Sequence, residues 1–193
     1  MKKLLLLLLL PIGLYAQEDK QINQPQASQQ VNYKIQTKYS ALVSKSNFYL
    51  KYVDTKFQNI QPVNARTIYT LIRKVIEPRA AYFFALMRSE TTPYCLDPGS
   101  EIIEYSDLVT INKAIEKLIS ESVRDLEKKP DFLENKYVSE DGFTFGYRIK
   151  RDLLNFYIGS ERYGNWVIIN DYKKLAAIFK EAQTKIEELK KNE

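Results

Sequence analysis

Glu101, Glu104 and Asp107 stand three residues apart in the run Glu101-Ile102-Ile103-Glu104-Tyr105-Ser106-Asp107, a spacing that gathers carboxylates around the start of a helix. Two carboxyl groups can divide acid and base work between them, as in glycoside cleavage, and three can hold a divalent cation. Acidic side chains at a helix N-terminus are also favoured by the helix dipole. That role accounts for Glu104 and Asp107 without any function, so no catalytic residue and no metal ligand is assigned.

Other chemistry is narrower still. The chain has no histidine, which excludes Ser-His, Cys-His and His-metal schemes. Its one cysteine, Cys95, cannot form an intramolecular disulfide. It lies in the turn-rich stretch Thr92 to Gly99 with no activating base nearby in sequence, and reads as an unpaired, partly buried small side chain. Gly99-Ser100-Glu101 and Gly159-Ser160-Glu161 lack the second glycine of a nucleophile elbow, and no serine has a lysine three residues on. Gly159 and Gly164 have the outer spacing of a phosphate loop, but Asn165-Trp166 follow where lysine and a hydroxyl are needed. No cofactor is implied. Tyrosine, fourteen in all, offers broad contact area at low entropic cost. Tyr94, Tyr157 and Tyr163 are expected in loops or on a wet sheet face and are the candidate binding residues.

The elements that must position these groups follow from hydrophobic periodicity. Phe143-Thr144-Phe145-Gly146-Tyr147-Arg148-Ile149-Lys150 alternates strictly and predicts a strand with Phe143, Phe145, Tyr147 and Ile149 on its buried side. Glu140-Asp141-Gly142 supplies a turn before it, and Leu153 to Ile158 supplies a hairpin partner after it. Trp166 to Ile169 reads as another strand. Asn170 or Asp171 then caps a helix whose apolar stripe runs through Tyr172, Leu175, Ile178, Phe179, Ala182, Ile186 and Leu189. Earlier, Ile102-Ile103 makes a short strand, Ser106 is the expected N-cap, and Leu108, Ile111, Ile115, Leu118, Ile119 and Leu126 trace a second stripe ended by Pro130. Placing Leu108 on Leu175 aligns Ile102 with Ile169, Glu104 with Asp171 and Tyr105 with Tyr172. Upstream, Ile68 to Lys74 precedes Tyr82 to Met87 just as Phe143 to Lys150 precedes Leu153 to Ile158. An internal duplication is expected, with halves at about 33–130 and 131–193.

The first sixteen residues order themselves as a secretory leader: Lys2-Lys3, the apolar run Leu4 to Leu10, then Pro11 and a small residue, Ala16, at the expected cleavage point. The apolar run falls short of the ~20 residues that span a bilayer, and no later segment reaches that length. Residues 17–32 are glutamine-rich and read as a flexible lead segment. Residues 33–193, about 160 in number, are the size of one domain and can build a sufficient core. The formal charge of +5 is mild, and its lysines and arginines are scattered among acids, so a nucleic-acid partner is not expected.

These observations predict an α+β fold: a curved antiparallel sheet made of two similar strand-run-plus-helix halves, with both main helices packed on one face and the other face wet. The order of elements resembles TATA-binding-protein-like folds, without a shared residue motif. The leader followed by a strand-rich repeat closed by a helix is similar to small exported bacterial proteins. Neither resemblance carries an activity or a site. The expected function is that of a non-catalytic binding or accessory module of the bacterial envelope or outside medium, gripping a protein or glycan through the open sheet face or the loop from Glu90 to Ser100. A carboxylate-based hydrolase of glycoside type is the alternative, and nucleic-acid binding by the sheet face the third. Nothing in the sequence specifies an oligomeric state.

Overall fold

The structure, a computed structural model, describes residues 37–44, 49–63, 65–77, 80–88, 100–162 and 164–192. The leader, the glutamine-rich segment, residues 89–99 with Tyr94 and Cys95, and Tyr163 lie outside the described residues. The chain divides into two units, Met1–Tyr33 and Lys34–Glu193, and everything below concerns the second.

Its elements run α1 (Lys38–Val43), β1 (Lys51–Lys56), β2 (Tyr69–Glu77), β3 (Ala81–Met87), β4 (Glu101–Glu104), α2 (Tyr105–Glu127), β5 (Phe132–Val138), β6 (Phe143–Lys150), β7 (Leu153–Ser160), β8 (Asn165–Ile169) and α3 (Tyr172–Lys191). The expected α+β class is observed, and so is the expected pair of halves, each a run of four strands followed by a long helix. All pairings are antiparallel, in the orders β1-β2-β3-β4 and β5-β6-β7-β8. Among the described residues the ladder stops between halves, which gives two four-stranded sheets where one continuous sheet was expected.

The strongest alternation in the sequence gives the most regular hairpin. Phe143, Phe145, Tyr147 and Ile149 are all buried on β6, and β7 pairs with it along eight residues. The connection is a two-residue turn in which Arg151 (φ 51°) and Asp152 (φ 62°) are both left-handed, the geometry whose twist matches the flanking strands.

Both long helices open on a tyrosine and bury the same steps afterwards: Leu108 and Ile111 on α2, Leu175 and Ile178 on α3. Asp171 caps α3, its carboxylate accepting from the Lys174 amide at 2.8 Å. On α2 the expected cap, Ser106, lies inside the helix. β4 runs straight into α2, so Glu104 is both the last strand residue and the N-cap, and the Ser106 hydroxyl donates to its carboxylate at 3.3 Å.

The two halves share one core. α2 packs on β3 and β4 of its own half, on β5 and β6 of the other, and on α3. The Phe179 ring on α3 meets Phe84 of β3 edge-on at 5.1 Å and Phe143 of β6 at 5.5 Å. Its carbonyl accepts from Asn112 Nδ2 of α2 at 3.2 Å.

The wet face expected on the far side of the sheet is partly covered. Tyr39, Leu42 and Val43 of α1 lie on the outer face of the first sheet, against Val75, Phe83, Ala85, Met87 and Ile102. Arg73, 2 % exposed, anchors this layer. Its guanidinium donates to both Asp54 oxygens at 2.7 Å and to the Tyr39 hydroxyl at 2.7 Å, and it lies 4.1 Å from the centre of the Tyr52 ring. The six residues of α1 are too few to show a helical period, and β1 and β5 alternate with small amplitude. None of the three is legible in the sequence.

Because Phe179 fills the space between both sheets, Phe179→Ala should cost about 4 kcal/mol of unfolding free energy in urea titrations. A loss below ~1 kcal/mol would show that the halves do not share this core.

Candidate functional site

The β4–α2 junction separates the three carboxylates that the sequence brought together. Successive β4 residues face opposite sides, so Glu101 and Ile103 turn inward while Ile102 turns to the outer cluster. Glu104 and Asp107 gather instead around Lys38 at the start of α1. Lys38 Nζ lies 2.5 Å from Asp107, 3.6 Å from Glu140 and 3.9 Å from Glu104. The Lys38 amide donates to both Asp141 oxygens, at 3.1 and 3.2 Å. This clasp fastens α1 to the turn between β5 and β6. Among the described residues no group of three or more acids or cysteines is arranged to hold a metal ion.

Glu101 occupies a different environment, 6 % exposed, beside Ile68, Leu86, Arg88, Phe143, Ile158 and Gly159. These residues line a cavity of about 10 Å³, room for roughly one water molecule and for no sugar ring. Burial pushes the Glu101 carboxyl up to about 7; the Ser160 hydroxyl, Arg162 and Arg88 pull the other way. Ser160 is close enough to favour the carboxylate, yet neither its oxygen nor Glu101 Oε1 reaches good hydrogen-bond geometry. Two larger hollows flank α3. One of about 230 Å³ lies between Ile60, Gln61 and the start of the helix, and one of about 300 Å³ is bounded by Phe57 and the helix surface from Lys180 to Glu188.

The outer face of the second sheet is the other candidate. In register across β5 to β8 it carries Glu134 opposite Arg148, Lys136 opposite Gly146, Gly146 opposite Tyr157, and Gly159 opposite Trp166. Tyr157 was expected to be exposed, and the structure corrects this: it is 3 % exposed. It lies in a trough that two glycines leave open. A Cβ on Gly146 would come within 2.8 Å of the Tyr157 hydroxyl oxygen, and one on Gly159 within 2.6 Å of Trp166 Cε3. The Tyr157 hydroxyl donates to Glu134 at 2.8 Å, Trp166 meets its ring edge-on at 5.2 Å, and the Arg148 guanidinium lies 4.8 Å from the ring centre. Burial, and then the Glu134 carboxylate, raise its hydroxyl well above the usual phenol range. Tyr157 is thus a support, and the groups it presents are Trp166, Lys136, Arg148 and Glu134. The sequence carried a signal for Trp166, its single tryptophan, and for Arg148, a polar position of the β6 alternation; Glu134 and Lys136 lie on β5, whose weak alternation gave none. The other two candidates, Tyr94 and Tyr163, lie outside the described residues.

Comparison of the chain with known protein families, curated proteins and solved structures finds no match.

The raised Glu101 carboxyl fixes the sign of a pH effect. Its stabilising, protonated state is fully present below the ordinary value of 4.5 and is lost as pH rises through about 7. Glu101→Gln should flatten the stability profile over that window, leaving the variant about 3 kcal/mol more stable than the wild type at pH 8 and little changed at pH 4. Parallel profiles for the two proteins in chemical denaturation would exclude this environment for Glu101.

Proposed function

We propose that this chain is a non-catalytic binding module, exported by a leader cut after Ala16 into the bacterial envelope or medium, and that its ligand, a protein or a glycan, lies on the outer face of the second sheet. One observation carries the reading. The outer face of the first sheet is covered by α1, whereas no described helix or strand packs on the outer face of the second. The repeated element order supports an internal duplication in which, among the described residues, the second copy lacks the covering helix of the first.

The composition of that face suits recognition. Trp166 is a rigid aromatic anchor, and Tyr157 and Lys136 hold it from its edge and its face at 5.2 and 5.5 Å. Arg148 and Glu134 form an ion pair at 2.6 Å beside it, offering polar groups whose positions are already set. Indole faces and charged side chains together accept sugar rings as readily as peptide. Lysines and arginines scattered among acids give no concentrated basic stripe for nucleic acid.

Envelope extract passed over the immobilised protein should yield a retained partner, or a glycan array should yield a bound sugar. Trp166→Ala should remove that binding while circular dichroism stays unchanged. Repeated recovery of nothing, or binding indifferent to Trp166→Ala, would count against the outer face as the site. Separately, amino-terminal sequencing of the chain from the producing cell should begin at Gln17, and an intact Met1 would remove the case for export.

A further inference from the structure

The second sheet ends at β5, which hydrogen-bonds to β6 on one side and to no described strand on the other. An open edge presents a row of unpaired backbone donors and acceptors, which proteins usually protect. β1, at the edge of the first sheet, has such protection: Lys51 and Lys56 at its ends and a register shift between Lys51 and Tyr52. β5 has no shift. It pairs with β6 along all seven residues, and it leaves Phe132 60 % and Val138 39 % exposed.

The sequence of this edge, Phe132-Leu133-Glu134-Asn135-Lys136-Tyr137-Val138, is complementary to itself. When a second copy is turned about a two-fold axis at Asn135, perpendicular to the sheet, its β5 runs antiparallel to the first. Phe132 of one copy then faces Val138 of the other, Leu133 faces Tyr137, Glu134 faces Lys136, and the two Asn135 residues meet on the axis. Both exposed apolar residues gain an apolar neighbour, and both charges gain an opposite one. Competing registers are penalised. Sliding by two residues sets Glu134 against Glu134, or Lys136 against Lys136. Sliding by one places the core-facing Leu133 and Tyr137 opposite residues of the outer face.

We propose that the chain forms a symmetric dimer by antiparallel pairing of two β5 strands, joining two four-stranded sheets into one of eight. The occupant is a second copy because the charge order of the edge is its own complement, while a foreign strand would have to supply it independently. Glu134 already holds Arg148 and Tyr157, and Lys136 already holds Glu161, so both side chains are positioned before the copies meet. The outer faces of the two copies then become one continuous surface.

Sedimentation equilibrium of the purified full chain should give twice the mass of one chain. Glu134→Lys and Lys136→Glu should each weaken the dimer about tenfold or more, because each sets like charges opposite one another twice across the axis. The double reversal, Glu134→Lys with Lys136→Glu, should restore it, which a merely structural role for either residue does not predict. A second arm avoids these intramolecular partners: in a Cys95→Ser chain carrying Phe132→Cys and Val138→Cys, directly opposed residues lie about 4.5 to 5.5 Å apart and should oxidise to a covalent dimer. The proposal is overturned by a wild type that stays monomeric, as it would with another segment or another protein on the edge. It is equally overturned by a dimer insensitive to the single reversals, by a folded double reversal that stays weak, or by the absence of a covalent dimer.

Discussion

One aromatic contact ties the molecule together. Phe179 projects from α3 into the space where the inner faces of the two sheets meet, touching Phe84 of the first and Phe143 of the second, while its backbone carbonyl holds Asn112 of α2. The interior is shared between the halves, because α2 lies across both sheets, reaching β5 and β6 as well as β3 and β4. With no intramolecular disulfide available to a chain with one cysteine, shared burial of this kind must supply most of the stability.

Around that core the two halves diverge in what they do with their outer faces. The first is covered by α1, and the cover is held by polar groups at two points: Arg73 inside the layer and Lys38 at its margin. Arg73 is nearly fully buried, a state that a guanidinium tolerates only with its donors matched, and Asp54 and Tyr39 match them. Glu101 is less well matched. It lies at the junction of the sheets beside Arg88 and Ser160, and its desolvation is only partly offset there. Such a carboxyl makes the seam between the halves sensitive to the charge state of one group.

In the second half no described helix or strand packs on the outer face or pairs with β5 on its far side, and the two features reinforce each other. The Tyr157 hydroxyl closes over Gly146 and the Trp166 ring over Gly159, and the two rings meet edge to face, so these side chains hold one another in place. Pairing along β5 would set two such faces side by side, and a ligand that spans both would bind with the advantage of two linked sites. The proposed recognition face and the proposed dimer edge would then adjoin on the same four strands.

Much of the architecture was legible in residue order. The alternation of Phe143 to Lys150, the stripes of α2 and α3, and the matching of Tyr105 with Tyr172 are local patterns, and local periodicity dictates strand or helix wherever one face is strongly apolar. What remained hidden depends on neighbours distant in the chain. Whether Tyr157 is exposed is decided by Trp166 and Arg148 on adjoining strands, and whether three acids converge is decided by the two-residue period of β4 and the arrival of Lys38 from α1. The self-complementary charges of β5 were present in the sequence all along, but they acquire meaning only because the sheet ends there. A sequence specifies which face of each element is apolar; only the packed chain determines which faces and edges are left for something else, because burial is a property of the whole assembly of elements and not of any one of them.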